Sequence, residues 1–284
     1  MRRRGRHRVP MTDDARTTRH EIAVGRQRIR VHVRHGFGVP LVLCNGIGAG
    51  LEVLDPFVAA LDPAATIVRF DVPGAGASPP SFAPYGFGYL ARLLGQVLDR
   101  LGIGTVDVLG LSWGGALAQQ FAFQNPRRCR RLVLVATATG ALMVPGHPRV
   151  LAKMLTGRRF TDPGRAAAIA GRIYGGTAAD HSHDIAALFG AQAQTGSAIG
   201  YLHQLLAGAV WTSLPLLPVI RQPTLIVAGT DDPIVPIANA HILHRLLPHA
   251  TLHRHAGGHI ELITDADGLA PVIEAFLREP GRRP

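Results

Sequence analysis

The sequence predicts an α/β protein, in which a mostly parallel sheet is covered by helices on both faces and interrupted once by a helical insertion. Three observations predict it. Short apolar runs at 41–44, 66–70, 106–109 and 132–136 have strand length, and helical patterns separate them. Strands alternating with helices pair in parallel, and the crossovers cover both faces of the sheet. From about Gly140 to Pro218 this rhythm stops, leaving only helical stretches near 147–156, 164–174, 181–194 and 197–210, and it resumes with a strand at 223–228.

The elements can be justified in order. Residues 21–34 alternate (Ile22, Val24, then Ile29, Val31, Val33) as a hairpin turning at Gly25. Between the second and third buried strands, Tyr89 to Leu101 sets Leu90, Leu93, Leu94, Val97 and Leu101 on one helical face. A helix is expected over roughly 237–247, and a last strand over 251–255. A chain of 284 residues that is 47% hydrophobic can bury one such core plus an insertion. The expected organisation is therefore a basic arm over 1–20, a core over 21–139 and 219–279, and a helical cap over 140–218.

The net charge of +11 is local. Residues 1–34 hold eleven arginines against Asp13, Asp14 and Glu21, and the tail Arg278 to Arg283 adds +2, so the body between is close to neutral. This distribution gives no nucleic-acid surface. The N-terminal stretch Met1 to Arg8 has no apolar segment behind it, as a secretory signal would require, and no apolar run reaches membrane-spanning length. A cytoplasmic protein is expected. Three readings of the arm stay open: a solvated tail, a tether to an anionic surface, or a translation start at Met11. Cys44 and Cys129 lie in or beside core elements and read as reduced core thiols.

The chemistry is carried by Gly110-Leu111-Ser112-Trp113-Gly114. It follows the apolar run Val106–Leu109 and opens the helical segment to Phe123, so Ser112 sits at the apex of a strand–turn–helix, the form of a nucleophile elbow. Glycines flank it because side chains would clash where strand and helix converge. A serine nucleophile needs a base and a carboxylate. Pro223 to Gly229 is a buried-strand pattern running into Asp231 and Asp232, and His259 ends a glycine-rich loop 27 residues after Asp232. Asp232 is the expected acid because Asp232-Pro-Ile-Val-Pro236 has the register in which the acid precedes x-x-x-Pro.

The expected oxyanion donors are the amides of Trp113, which follows the nucleophile, and of Ile47, in the glycine-rich loop Asn45 to Gly50. That loop fits neither phosphate-binding glycine pattern, since position 51 is Leu and no lysine follows; Asp71 to Ser78 fails as well, and reads as a strand-end turn near the site entrance. His181-x-His183, His241-x-x-His244 and His253-x-His255 have ligand-like spacings, but none has a partnering carboxylate or cysteine at motif distance. Neither metal nor cofactor is expected. Apolar cap residues, among them Leu142, Met143, Leu151, Met154, Leu155, Leu188, Phe189, Leu202, Leu205 and Leu206, either pack the cap or form an apolar ceiling over the serine, which would favour aliphatic substrates.

The order Ser, Asp, His over residues 21–279 resembles the α/β-hydrolase superfamily. More narrowly, Leu43-Cys-Asn-Gly-Ile-Gly-Ala49, Phe70-Asp-Val-Pro-Gly74, Ser112 to Phe121, Ile173-Tyr-Gly-Gly176, Trp211-Thr-Ser213 and Arg221-Gln-Pro-Thr-Leu225 resemble the bacterial intracellular depolymerases of medium-chain-length polyhydroxyalkanoates. The resemblance implies an α/β-hydrolase fold, hydrolysis of poly(3-hydroxyalkanoate) esters to 3-hydroxy acids, and a polyester granule or an aliphatic ester as partner; it leaves oligomeric state open. A polymer synthase of the superfamily would carry cysteine at position 112, and a dehalogenase or epoxide hydrolase aspartate. A small-ester hydrolase, lactonase or carbon–carbon bond hydrolase would keep the same triad. A non-catalytic granule-binding or ligand-sensing protein would share the scaffold, and covalent labelling by a fluorophosphonate separates it from an enzyme.

Overall fold

The computed structural model describes residues 16–154, 170–182, 185 and 196–279. Eight strands form one sheet: β1 (Thr17–Val24), β2 (Gln27–Arg34), β3 (Phe37–Cys44), β4 (Ala65–Phe70), β5 (Val106–Leu111), β6 (Cys129–Val135), β7 (Thr224–Gly229) and β8 (Ala250–His255), in the spatial order β1-β2-β4-β3-β5-β6-β7-β8. Every pair from β4 to β8 is parallel, while β1–β2 and β2–β4 are antiparallel. Gly25 turns the β1–β2 hairpin at φ +58°.

Alternation along the central strands sends their side chains to two separate cores. Val42, Val108, Leu132, Leu134 and Ile226 join the cluster under α2 (Phe87–Arg100), α3 (Trp113–Gln124) and α6 (Ile237–Leu246). Leu41, Leu43, Leu109, Val133 and Leu225 join the opposite cluster, with α1 (Asp55–Ala60), α7 (Glu261–Thr264) and α8 (Ala266–Arg278). Burying each such side chain contributes about 1.5–3 kcal/mol, so strands apolar on both faces are held to a two-sided register. The sheet then presents the ends of β3, β5, β6, β7 and β8 along one edge.

Two expected boundaries move. The arm read over 1–20 is too long, because β1 begins at Thr17 and residues 17–20 pair with Arg34 to Val31. They are polar, and an edge strand needs only backbone pairing, so hydrophobic alternation gives no sign of them. At the other end of the insertion, Gly140 and Thr212 face each other in an isolated antiparallel bridge, with Ala141 N–H donating to Trp211 O at 2.7 Å. The return therefore comes at 212 rather than 218, and Leu217 is fully buried in the core cluster beneath α3. Between the two sides of the bridge lie α4 (Pro148–Met154), helical residues 170–174, a 3-10 turn (Gly176–Ala179) and α5 (Ala198–Val210).

Candidate active site

Ser112 joins β5 to α3 with φ 54° and ψ −120°, a conformation that non-glycine residues avoid and that the surroundings must hold. Its N–H donates to Val135 O at 2.9 Å, and its carbonyl accepts both Gly115 N–H at 2.8 Å and the Thr137 hydroxyl at 2.7 Å. The flanking glycines are needed for close approach: a Cβ on Gly110 would lie 2.4 Å from Gly114 O, and one on Gly114 2.1 Å from Cys44 O.

The three residues read from the sequence as a triad meet at the sheet edge. His259 Nδ1 lies 2.7 Å from Asp232 Oδ2, and His259 Nε2 lies 2.9 Å from Ser112 Oγ. A carboxylate only accepts, so Nδ1 carries the proton and Nε2 turns its lone pair toward the serine. Asp232 is fixed in turn by Ile234 N–H and Val235 N–H, which donate to its Oδ1 at 2.8 and 2.9 Å. Asp232 and His259 are both buried. Asp231 turns away and accepts Gly176 N–H at 2.7 Å.

That last bond belongs to a clamp that motif reading did not find. The segment Tyr174-Gly175-Gly176 lies against both the aspartate turn and the histidine loop. His259 N–H donates to Tyr174 O at 2.7 Å, and a Cβ on Gly175 would stand 2.0 Å from Asp231 O. Glu261 holds the same loop, accepting Gly258 N–H at 2.9 Å and the Thr177 hydroxyl at 2.8 Å. His255 at the end of β8 accepts Gly257 N–H at 3.1 Å; burial lowers its pKa and so favours the neutral ring that this bond requires. His255 is thus tied to the loop that carries His259.

The loop expected to supply the second oxyanion amide lies beside the serine, since a Cβ on Gly46 would be 3.8 Å from Ser112 Cβ. Asn45 Nδ2 donates to Gly50 O at 2.6 Å, and Leu51 N–H donates to Asp71 Oδ1 at 2.7 Å. Asp71 is completely buried and also accepts Ala77 N–H at 2.9 Å, so the turn from Asp71 to Ser78 anchors this loop. Ile47, Ser112 and Trp113 line one cavity. Trp113 is the first residue of α3, where an amide has no acceptor inside the helix.

The cavity measures about 660 Å³. One wall is aromatic: Phe87 lies between Trp113 and Trp211, with ring centroids 4.6 and 5.0 Å away. Met143, Leu151 and Leu205 face it as expected of an apolar ceiling, whereas Leu142, Leu202 and Leu206 are exposed. Leu155, Leu188, Phe189 and the Met154 side chain lie outside the described residues, as does His183. Gln204 was missed altogether. Its Oε1 accepts Gly48 N–H at 2.8 Å, and its carbonyl accepts the Trp113 indole N–H at 2.9 Å. The available signal was helical spacing, which puts Gly200, His203, Gln204 and Ala207 on one face of α5, the buried one.

Cys44 and Cys129 are free and buried, and burial raises both thiol pKa values, away from nucleophilic behaviour. Among the described residues, no group of three or more His, Cys, Asp or Glu side chains is placed to hold a metal ion, and no helix is long and apolar enough to cross a membrane.

Residues 39–266 match the family model described as the alpha/beta hydrolase fold. The chain belongs to the α/β-hydrolase family. Within it, the poly(3-hydroxyalkanoate) depolymerase of Ectopseudomonas oleovorans is 46% identical over 264 residues, 92% of this chain and 93% of that protein. 3-Oxoadipate enol-lactonase 2 of Acinetobacter baylyi is 25% identical over 238 residues, 84% of this chain and 88% of that one. Among solved α/β-hydrolases, the enol-lactonase from Burkholderia xenovorans has a TM-score of 0.79 at 25% identity, covering 91% of this chain and 100% of its own.

Proposed function

We propose that this α/β-hydrolase cleaves ester bonds of medium-chain-length poly(3-hydroxyalkanoate), giving 3-hydroxy acids or oligomers, with Ser112, His259 and Asp232 as its triad. The observation that carries the reading is the hydrogen-bonded chain Ser112–His259–Asp232 opening into a cavity walled by apolar side chains. The 46% identity to a depolymerase over nearly the whole chain supports the substrate class. The fold and 25% identity shared with enol-lactonases support a small-lactone hydrolase as the second reading.

In the proposed reaction Ser112 Oγ attacks the ester carbonyl while His259 Nε2 takes its proton. Asp232 orients the ring and stabilises the imidazolium. The amides of Ile47 and Trp113 receive the oxyanion. Collapse of the tetrahedral adduct breaks the bond to the leaving alkoxide, which takes the proton from His259. Water then attacks the acyl-serine, its proton passing through His259 to Ser112, and the hydroxy acid leaves.

Residues 141–211 act in this reading as the cap, and α5 turns an uncharged face outward at the cavity's rim. Ile199, Leu202, Leu206 and Val210 recur at helical spacing with 43–81% exposure, while the helix's polar residues point inward. We assign this face to contact with the polyester granule inside the cell, since a solvated protein surface rarely leaves such a stripe bare.

The test is kcat/KM across p-nitrophenyl esters from C2 to C12, with clearing of polymers bearing long and methyl side chains. Each buried methylene contributes about 0.8 kcal/mol, so two to four carbons raise kcat/KM by about one to two orders of magnitude. A maximum at about six to ten carbons, faster loss of the long-side-chain polymer and silence of Ser112→Ala are expected. A maximum at acetyl with neither polymer attacked would favour the small-ester reading instead.

A further inference from the structure

We infer that the Gln204 amide recognises the 3-oxygen of the substrate: its Nε2 group donates to the oxygen on C3 of a 3-hydroxyacyl unit held at Ser112. This rests on the depolymerase reading and names the group that would select its substrate class. Gln204 is completely buried on the face of α5 that lines the Ser112 cavity. The bond from Gly48 N–H to Oε1, 2.8 Å long, fixes which way the amide points, because the reverse orientation would set donor against donor. The Trp113 indole holds the backbone carbonyl of the same residue. The side chain is thus fastened between the Asn45–Gly50 loop and Trp113, the two elements assigned to the oxyanion. Its Nε2 is buried and has no hydrogen-bond partner among the described residues.

A buried donor without an acceptor is costly and rare in a folded protein. In a cavity wall the cost is recovered when a ligand brings an oxygen. The neighbouring wall is apolar, with Phe87, Met143, Leu151, Leu205 and Trp211 around it. The ligand's carbonyl oxygen is already assigned to backbone amides. A plain fatty acyl group has no other acceptor, and a methylene facing Nε2 would leave it unpaired. A 3-hydroxyalkanoate unit carries an oxygen two carbons from its carbonyl, as an ester oxygen within the polymer and a hydroxyl at its end.

The experiment compares p-nitrophenyl octanoate with p-nitrophenyl 3-hydroxyoctanoate for the native protein, Gln204→Leu and Gln204→Glu, with polymer clearing by the native protein measured alongside. The native protein should prefer the 3-hydroxy ester by about tenfold in kcat/KM, and both variants should bring that ratio close to one. Gln204→Leu should also slow on both esters, since Gly48 N–H loses its acceptor; Gln204→Glu keeps an acceptor there and should fall mainly on the 3-hydroxy ester. Equal losses on both esters in both variants would make Gln204 a latch between cap and loop and overturn the proposal. Clearing of polymer without any native preference would overturn this contact alone, whereas no clearing and no preference would remove the depolymerase reading beneath it.

Discussion

Two adjacent aspartates follow the end of β7, and their environments assign them different roles. Asp232 reaches His259 at 2.7 Å and is pinned by two backbone amides, whereas Asp231 faces Gly176. Asp232→Asn removes the acceptor that fixes the imidazole tautomer, and kcat should fall by about 10³–10⁴. Asp231→Asn keeps an oxygen for Gly176 N–H and should stay within about tenfold of the native rate. Steady-state kinetics on one soluble ester rank the two, and the opposite order would reverse the assignment. The register before Pro236 made this choice legible in the sequence. The carboxylate of Glu261 was not legible, because its partners Gly258 and Thr177 are united only by the fold.

At the scale of elements, β2 carries a pH response. His32 is partly buried and pairs in register with Arg69 of β4. Burial first, and then the charges of Arg30, Arg69, Arg19 and His20, lower its pKa from 6.5 to about 4. The folded protein therefore binds this proton more weakly than the unfolded chain, so stability falls as pH drops below 6.5 and this loss is complete below about 4. Thermal melts from pH 7.5 to 4 should show a shallower decline for His32→Gln than for the native protein, and identical slopes would remove His32 as a source. The strands themselves were legible because two-sided burial produces short apolar runs. The start of β1 was not, since polar residues at a sheet edge pair through backbone alone.

At the scale of the whole molecule, α5 joins the site to the surface. One face lines the cavity through Tyr201, Gln204 and Leu205, and the other exposes Ile199, Leu202, Leu206 and Val210. If that outer face rests on polyester, charges there oppose adsorption. The double variant Leu202→Asp, Leu206→Asp should co-sediment several-fold less with polymer granules, and its polymer-to-soluble-ester rate ratio should drop in step, since each aspartate would have to leave water at the contact. Unchanged co-sedimentation would place the docking surface elsewhere. An apolar helix in the cap was expected from sequence, but its inverted orientation was not: local periodicity marks a face without saying whether core or solvent receives it.

The sequence by itself determined the alternation of strands and helices, the elbow at Ser112, and the order in which Asp232 and His259 follow it. These are local signals, written in runs of a few residues whose backbone geometry depends on their own side chains. Only the tertiary structure decided what surrounds them: the Tyr174–Gly176 clamp, the Asp71 anchor beneath the Asn45–Gly50 loop, and Gln204 against Gly48. Gly48 and Gln204 are 156 residues apart, and nothing in either neighbourhood encodes the other. Such contacts arise when the sheet fixes where its strand ends emerge and the insertion folds back over them, so they follow from the position of whole elements rather than from any motif.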